Sequence, residues 1–400
     1  MGCKPAMSIA LLYERSETDE LGIKFTAEKM GIKLEFIPFR KIALALCKND
    51  YSFKTKGKDY TSTLKDVGVV LNRAQSKNRR LYAASIMETF GKKTINPSSI
   101  EFECYSKLRT LLHFWAWGVP IPKTVYVPCE PVDTTRDGRE IHNEPDIADL
   151  LQDELALEDG IVVKPDAGTH GRGIVLANNR EELVTNIQST KSSITNPVGI
   201  LSQELVQKWF YDLRIIVYKE KSKDPVCHPK ALARGGFKDF RTNTYLGNLV
   251  FEAALPLHVR ELAVKCAKAL SKDHEAYIFA LDAMIGVGKN KPVDDETLKA
   301  ELEQAAATFE PVKKVKKDDL KLKDFAKWNT QLETAFQAYR DSEPYQTVKG
   351  LIEDSIEKYK NNVVFHEANS CPEFWENTRL TSGLNIAIPY LKGAQSLIQS

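Results

Sequence analysis

The chain has 400 residues, a length that predicts two or three domains rather than one. Its composition, 42% hydrophobic and 28% charged, is typical of a globular protein with a sizeable core, and a net charge of +2 gives no support to general nucleic-acid binding. The seven cysteines include no C-x-x-C pair, which disfavours a disulfide framework or a structural zinc site. No apolar run reaches transmembrane length, so we expect a cytoplasmic protein with neither a membrane nor a nucleic-acid partner.

The first hundred or so residues show the pattern of a small α/β domain. Apolar strands alternate with amphipathic helices, and this alternation predicts a parallel sheet with helices on its faces. The polar stretch 49–65 indicates a long surface loop. The predicted strands cover residues 7–13, 33–39, 67–71 and 93–96, and the predicted helices cover residues 19–30 and 77–90.

The next hundred residues centre on the segment IVVKPDAGTHGRGIVL, residues 161–176. A helix predicted at 101–117 ends where a glycine and two prolines follow. The acidic stretch 129–159 indicates a surface insertion that ends in a helix. A strand at 123–128 and a helix at 180–189 complete this part of the chain.

The second half of the chain mixes strands with a charged insertion. Strands at 213–219 and 226–233 flank a charged turn and predict a hairpin. Residues 288–350 are poor in aliphatic side chains and rich in charged ones, which indicates helical decoration. The other predicted elements are strands at 198–205, 276–287 and 362–367, and helices at 256–270 and from 384 onwards.

The segment IVVKPDAGTHGRGIVL delivers Lys164 at the end of a strand and then a cationic loop. Glycines allow backbone N–H groups to approach phosphate oxygens and tolerate positive φ angles without strain. The loop is therefore either a lid for a polyphosphate or an ordinary hairpin. Its members are Gly168, Thr169, His170, Gly171, Arg172 and Gly173.

Two apolar strands end in residues that suit a divalent cation. In HEANS, Glu367 and Asn369 are two residues apart and therefore point to the same face of a strand. Asp282 ends the apolar strand YIFALD. If the two strands pair, three hard oxygen ligands meet on one face, which suits Mg²⁺ held together with substrate phosphates. The alternative is a solvated sheet face.

The segment SQELV, residues 202–206, ends a strand with an acid and an apolar pair. Backbone groups of Glu204, Leu205 and Val206 could bond the edge of an adenine whose faces pack on apolar side chains. Asp212 follows closely and could accept hydrogen bonds from ribose hydroxyls. An acid at a strand end is often only solvated, so this pattern is weak by itself.

A series of basic and polar residues follows these strands. A γ-phosphate, or an acyl phosphate made from it, needs planar, multiply donating groups such as guanidinium. The alternative for each of them is an ordinary surface position. The members are Arg214, Arg234, Arg241, Thr242 and Asn243.

Taken together, these segments resemble the ATP-grasp superfamily, and within it the RimK/LysX-like amino-acid ligases. The similar segments stand in the family's order over most of residues 67–390. Two of these segments are similar to the carrier-protein ligases of lysine and arginine biosynthesis. They are LNRAQSKNRRLYAASIMETFG and EANSCPEFWENTRLTSGLNI. The other matching segments are SKLRTLLHFWAWGVPIPKT, VVKPDAGTHGRGIVL, SQELV, the D-x-R at 212–214, DFRTN and HEANS.

The resemblance implies an α/β and α+β architecture, the ATP-grasp fold preceded by an N-terminal pre-ATP-grasp α/β domain. The implied boundaries are 1–104 for that first domain, 105–200 for the N-terminal ATP-grasp subdomain, and 201–400 for the C-terminal subdomain. The second unit would carry the glycine-rich lid, residues 167–173, and the third would carry the charged insertion at about 288–350.

The resemblance also implies roles for individual residues. ATP phosphates would contact Lys107, Lys164, Gly171, Arg172 and Gly173. Adenine would be held by Glu204, Leu205 and Val206, and ribose by Asp212. The reacting phosphate and acyl group would lie near Arg214, Arg234, Arg241, Thr242 and Asn243. Mg²⁺, which Mn²⁺ could replace, would bind Asp282, Glu367 and Asn369.

The implied reaction is ATP-dependent joining of a carboxylate to an amine through an acyl phosphate. The partners would be an amino acid and a glutamate-terminated peptide, carrier protein or small molecule, and a homo-oligomer (dimer or tetramer) stays open. Residues expected to face the acceptor pocket are Arg73, Ser76, Asn78, Arg79 and Arg379. The basic run Lys313, Lys314, Lys316 and Lys317 is either a docking site for an acidic partner or a solvated helical face.

Two other functions are alternatives to this reaction. The insertions at 129–159 and 288–350 are longer than the family's connections, which would suit a nucleotide-binding regulatory module without turnover. An NAD-dependent enzyme is disfavoured, because no G-x-G-x-x-G follows the first strand.

Overall fold

The fold is described from a computed structural model. The described residues are 8–48, 50–128, 135–139, 142–168, 171–190, 199–237, 239–242, 247–288, 291–315 and 320–398. Within these ranges, no helix is both long and apolar enough to cross a lipid bilayer. Three sheets surround one central cavity, and the sequence patterns explain how each sheet forms.

The N-terminal sheet is parallel, as the alternation of strands and helices predicts. Its strand order is β2-β1-β5-β6, and every neighbouring pair is parallel. Parallel strands need crossover connections, which the helices supply. The strands are β1 (Ser8–Tyr13), β2 (Leu34–Pro38), β5 (Val67–Arg73) and β6 (Lys93–Ile95), and the helices are α1 (Thr18–Lys29) and α3 (Lys77–Thr89).

The prediction of a loop at 49–65 is wrong. This polar stretch contains one strand of a hairpin, β3 (Ala43–Cys47) with β4 (Asp50–Lys54), and a short helix, α2 (Thr61–Asp66). Phe53 and Leu64 are fully buried and anchor the stretch to the N-terminal core. Three buried side chains, Phe53, Tyr60 and Leu64, are too few among many charged ones to produce a regular spacing of apolar residues, so the stretch has the sequence pattern of a loop.

The second sheet is antiparallel, with the strand order β7-β10-β8-β9. Two helices cover one face, and Ile147, Leu151, Leu183 and Ile187 are fully buried in its core. The strands are β7 (Thr124–Val127), β8 (Ile161–Lys164), β9 (Val175–Ala177) and β10 (Ile200–Glu204), and the helices are α6 (Glu144–Glu154) and α7 (Arg180–Ser189).

Two helices lead into this sheet where one was predicted. The segment 101–117 belongs to α4 (Ser98–Tyr105) and α5 (Lys107–Ala116), which are separated at Ser106. Ser106 has an extended backbone, and its hydroxyl accepts a hydrogen bond from the backbone N–H of Arg109. A serine at this position caps the second helix, and the continuous apolar pattern on both sides hides the break.

The third sheet has six strands and carries six of the polar residues that the sequence singled out: Asp212, Arg214, Arg234, Asp282, Glu367 and Asn369. Its order is β14-β13-β11-β15-β16, with β12 beside β11, and each pair is antiparallel. The hairpin predicted across the charged turn is confirmed. The strands are β11 (Tyr211–Lys219), β12 (Val226–Cys227), β13 (Lys230–Gly235), β14 (Leu249–Ala254), β15 (Tyr277–Ile285) and β16 (Val363–Asn369).

Two details of this sheet differ from the prediction. The single strand expected at 226–233 is divided between β12 and β13, because Pro229 lacks the N–H that a continuous ladder needs. Strand β14 was not predicted. It occupies the outer position beside β13 and is buried by the helices that pack on it.

The charged insertion is a part of the main core. Its helices bury large aromatic side chains, including Phe325, Trp328 and Phe336, in the same cluster as the six-stranded sheet. Phe25 of α1 contacts Phe325, with ring centroids 5.4 Å apart. The helices are α9 (Asp295–Lys313), α10 (Leu322–Arg340) and α11 (Glu343–Tyr359), and the remaining helices of the chain are α8 (Leu257–Ser271), α12 (Thr378–Ser382) and α13 (Ala387–Ile398).

Candidate functional site

A cavity of about 550 Å³ lies where the three sheets meet. The two antiparallel sheets form one end of this cavity, which we call the sheet end. The N-terminal sheet and the segment after β16 form the other end, which we call the N-terminal end. Fifteen of the residues predicted from the sequence line the cavity: Arg73, Lys107, Lys164, Gly171, Glu204, Leu205, Val206, Asp212, Arg214, Arg234, Arg241, Thr242, Asp282, Glu367 and Asn369.

Strand register places charged residues of opposite sign side by side on one face of the six-stranded sheet. Asp212 is directly opposite Arg234, and Arg214 is directly opposite Asp282. Asp282 is in turn opposite Glu367 on the next strand, which confirms the predicted pairing of the two strands. Directly opposite side chains on one face of a sheet are close enough to form ion pairs. The face therefore carries a row of neighbouring charged residues, in which arginine and aspartate pair across strands and the carboxylates of Asp282 and Glu367 lie side by side.

The arginines of this row are held tightly. Arg214 donates two hydrogen bonds to Asp282, each at 3.0 Å. Arg234 donates to Asp212 at 2.7 Å and lies 3.2 Å from Asp282. Burial raises the pKa of Asp282, but the guanidinium groups of Arg214 and Arg234 outweigh burial and hold that pKa well below its usual range. Asp282 is consequently ionised at any physiological pH.

The predicted cation ligands lie together on the last two strands. The amide of Asn369 donates to Asp282 at 3.3 Å, and Glu367 is the cross-strand neighbour of Asp282. Burial raises the pKa of Glu367, but Lys107 and Lys77 outweigh it and lower that pKa. No cluster of three His, Cys, Asp or Glu side chains suitable for a metal occurs in the part of the chain that the structure describes. Two carboxylates and an amide nevertheless fit a hard cation such as Mg²⁺.

Four buried or half-buried lysines surround this row of charged residues. The ammonium of Lys107 lies 4.0 Å from Glu367, and that of Lys77 lies 3.6 Å from the same oxygen. Lys164 donates to the side chain of Gln203, and burial together with the nearby Lys107 lowers the pKa of Lys164 to about 7. Concentrated positive charge beside a cavity is the environment that a polyphosphate requires.

The fourth lysine, Lys208, lies at the base of the sheet end. Its ammonium donates to the hydroxyl of Thr242 at 2.6 Å. Burial lowers the pKa of Lys208 to about 8, although the carboxylate of Asp212 opposes this effect. Lys164 and Lys208 are therefore only partly charged near neutral pH, and an anionic ligand would favour their protonated forms.

The glycine-rich loop and the basic loop are connected across the cavity. A guanidinium N–H of Arg241 donates to the carbonyl oxygen of Gly171 at 2.9 Å, and Asp239 accepts two further bonds from the same guanidinium. Gly171 lines the cavity, whereas Arg172 and Gly173 are exposed outside its lining. Thr169, His170 and Asn243 lie outside the described residues.

The predicted adenine segment follows β10 directly and lines the sheet end. The backbone N–H groups of Glu204 and Leu205 already donate to the carbonyls of Lys123 and Gly160. The Glu204 carboxylate accepts from the Lys123 N–H at 2.8 Å. Both N–H groups are therefore already engaged within the protein.

The N-terminal end has a different electrostatic arrangement. Arg73 donates to Asp19 at 2.8 Å, to Glu20 at 3.1 Å and to the carbonyl of Pro372 at 2.8 Å, so its guanidinium is engaged within the protein. Burial raises the pKa of Asp19 and, to about 7, the pKa of Glu20, although Arg73 opposes both shifts. One guanidinium is therefore shared by two buried carboxyls.

Four residues predicted to face the acceptor pocket lie outside the cavity lining. Ser76 precedes α3, and its N–H donates to Glu14, while Asn78 and Arg79 are exposed on α3. Arg379 bonds Glu333 and the side-chain oxygen of Asn329 on α10, beside a separate groove. Their roles stay predictions, and only Arg73 of this group lines the cavity.

Several cavity residues were missed by the analysis of the sequence. Arg80 is buried, bonds Glu101 at 2.7 Å and contacts Ser370 at 3.3 Å. His366 occupies a bulge between Phe365 and Glu367, and burial lowers its pKa to about 4. Helical arginines and lysines resemble surface residues in a sequence, so only the three-dimensional fold identifies them. The missed residues discussed above are Lys77, Arg80, Gln203, Lys208 and His366.

Comparisons with known proteins agree with this geometry. Residues 133–285 match the model of the RimK-like ATP-grasp domain. An alpha-aminoadipate–LysW ligase, LysX, from Sulfurisphaera tokodaii is 25% identical over 65% of this chain and 80% of its own length. A probable alpha-L-glutamate ligase from Legionella pneumophila is 29% identical over 46% of this chain, which spans 53% of that relative.

A solved structure extends the agreement in fold to almost the whole chain. D-cycloserine synthetase DcsG superposes with a TM-score of 0.56 at 13% sequence identity, over 98% of this chain and 99% of that chain. At this identity the likeness shows the fold alone. The ATP-grasp fold expected from the sequence is confirmed.

Proposed function

Because the chain carries a RimK-like ATP-grasp domain, we propose that it joins a carboxylate to an amine while converting ATP to ADP and phosphate. The relatives named as ligases support a ligase. The observation that carries the proposal is the row of charged residues on the six-stranded sheet, in which Asp282 and Glu367 are neighbours, with Lys107 and Lys164 beside it. This arrangement can hold a polyphosphate and a cation against a sheet face while the reacting groups meet in the cavity.

We propose that ATP lies at the sheet end, between the units 105–200 and 201–400, with residues 1–104 as a separate N-terminal domain. Adenine would rest against the segment after β10, and the phosphates would extend towards Lys107, Lys164 and Gly171. Asp212 is engaged by Arg234, so a ribose hydroxyl would share this carboxylate with the guanidinium.

The reaction balances without a nucleophile from the protein. An oxygen of the substrate carboxylate attacks the γ-phosphorus, the bond to the bridging oxygen breaks, and ADP leaves. The amine then attacks the acyl carbon, loses a proton, and inorganic phosphate leaves. Within the described residues, the lysines and arginines of the cavity offset the negative charge of the transferring phosphoryl group. A bound Mg²⁺ at Asp282, Glu367 and Asn369 would neutralise further charge, and Mn²⁺ could replace it.

For the substrates, we propose an amino acid as the amine and a glutamate-type carboxylate on a peptide, carrier protein or small molecule. The names of the relatives support this class, since they refer to LysW, to alpha-aminoadipate and to glutamate. A cytoplasmic location and a dimer or tetramer are further predictions.

A phosphate-release screen tests the proposal directly. The chain would be incubated with ATP and Mg²⁺, and amino acids would be crossed with glutamyl peptides and candidate carrier proteins. We expect ADP and phosphate, without AMP, only when both a carboxylate and an amine are present. Nucleotide binding without phosphate release from any pair would instead favour the regulatory module.

A further inference from the structure

Asp166 connects the glycine-rich segment to helix α5. The residue directly follows Pro165 after strand β8 and is 1% exposed. One oxygen of its carboxylate accepts from the hydroxyl of Ser106 at 2.8 Å and from the backbone N–H of Leu108 at 2.8 Å. Its carbonyl oxygen accepts from the backbone N–H of Lys107 at 3.0 Å. Three hydrogen bonds thus join one residue to the first turn of one helix.

These bonds determine where two groups of the cavity lie. Helix α5 begins at Lys107, whose ammonium lies 3.4 Å from the carbonyl oxygen of Gly168, two residues after Asp166. The hydroxyl of Ser106 also accepts from the N–H of Arg109, so Asp166 and Ser106 cap the helix together. An anionic acceptor at a helix N-terminus satisfies N–H groups that the helix cannot pair internally.

We propose that Asp166 is a positioning residue for phosphate recognition. It fixes helix α5, and with it the ammonium of Lys107, in register with the backbone of the glycine-rich segment. This inference rests on the proposed function, because it assumes that ATP phosphates bind between Lys107 and that segment. Asp166 is buried and does not line the cavity, so the residue acts through the atoms that it places.

The test compares two nucleotides on two variants. Wild-type protein, Asp166→Leu and Asp166→Asn would be titrated with ATP and with AMP in the presence of Mg²⁺. The asparagine oxygen can accept both bonds, so Asp166→Asn should bind ATP within about twofold of wild type. Asp166→Leu removes a charged acceptor, and we expect roughly tenfold weaker ATP binding with little change for AMP, which lacks the β- and γ-phosphates.

A matched control separates positioning from general stability. Asn179 caps α7 as Ser106 caps α5, by accepting from the N–H of Glu182 at 2.9 Å, but α7 contributes no residue to the cavity lining. Asn179→Ala should lower the thermal stability without changing the ratio of ATP to AMP affinity. If Asp166→Leu does not fold, Ser106→Ala removes one bond to Asp166 and should shift the same ratio in the same direction.

The outcomes separate this inference from the proposed function. Wild-type protein that binds no ATP would contradict the proposed function. Wild-type protein that binds ATP, together with an unchanged ATP-to-AMP ratio in Asp166→Leu or, if needed, Ser106→Ala, would overturn the positioning role alone. A ratio that falls equally in Asn179→Ala would also overturn it, because loss of any helix cap would then be sufficient.

Discussion

The two ends of the cavity treat buried carboxyls in opposite ways. At the sheet end, strand register gives Asp212 and Asp282 their arginine partners, and the pKa of each carboxyl is lowered. At the N-terminal end, Asp19 and Glu20 share Arg73, and burial raises the pKa of both. The comparison teaches that strand pairing can supply one cation for each anion, whereas a helix that presents consecutive acids to a single guanidinium leaves charge poorly compensated.

The largest expected effect comes from removing the shared cation of the N-terminal end. Arg73→Leu would leave Asp19 and Glu20 buried without their guanidinium, and we expect a loss of about 3–5 kcal/mol in the free energy of unfolding. Chemical denaturation would measure it. Arg180→Leu is the matched control, because Arg180 and its partner Asp149 are both more than half exposed, so its loss should cost less than about 1 kcal/mol. Similar losses in both variants would mean that the burial of Asp19 and Glu20 beside Arg73 does not raise the cost of losing an arginine.

The next effect concerns turnover at the sheet end. Lys164→Met removes a buried cation beside the proposed phosphate site while keeping the length of the side chain, and we expect phosphate release to fall by about 10²–10³-fold. The control is Lys291→Met, which removes an exposed lysine that pairs with Asp295. Wild-type turnover in Lys164→Met, with an amine and carboxylate pair that the wild-type protein accepts, would show that the phosphates bind elsewhere.

The same contrast explains what the sequence could predict. Alternation along a strand fixes which side chains share a face, so the meeting of Asp282, Glu367 and Asn369 followed from two apolar strands that pair. The parallel N-terminal sheet followed equally from the order of strands and helices. Both predictions rest on the spacing of apolar residues within single segments, and distant contacts do not change that spacing.

Other features depended on contacts between distant segments. The break at Ser106 is fixed by Asp166, sixty positions away, and no local period records it. The outer position of β14 depends on helices of the insertion. Arg379 was expected near the acceptor because its segment follows strand β16, but the insertion supplies Glu333 and Asn329 as its partners. A resemblance cannot anticipate partners that come from an unusual insertion.

The two ends should also respond oppositely to pH. Glu20 has a folded-state pKa of about 7, above the ordinary 4.5, so the folded protein binds more protons than the unfolded chain in that window, and stability falls as pH rises from about 4.5 to 7. Lys164 has a folded-state pKa of about 7, below the ordinary 10.5, so the unfolded chain binds more protons, and stability rises between about pH 7 and 10.5.

Denaturation at a series of pH values measures both slopes. Glu20→Gln should flatten the acidic slope and Lys164→Met the alkaline slope, each without affecting the other window. Calorimetry of ATP binding at pH 8–9 in buffers of different ionisation enthalpy should show proton uptake that Lys164→Met reduces by up to about one proton per nucleotide. If neither variant changed the dependence of stability on pH, the assignment of the acidic slope to Glu20 and of the alkaline slope to Lys164 would be contradicted.

The smallest effect on turnover is expected from substitution of Arg379, which lies beside a separate groove and lines neither end of the cavity. Its guanidinium bonds Glu333, Asn329 and the carbonyl oxygen of Trp375, and it lies 4.3 Å from the centre of the Trp375 ring. Arg379→Ala should therefore loosen the contact between α10 and the C-terminal segment while leaving turnover and the KM of the amine within about twofold of wild type. Steady-state kinetics with an accepted substrate pair would measure both constants. A rise of tenfold or more in that KM, at unchanged ATP affinity, would instead place Arg379 at the acceptor, as the resemblance implied, and would mean that the substrate extends out of the cavity towards the insertion.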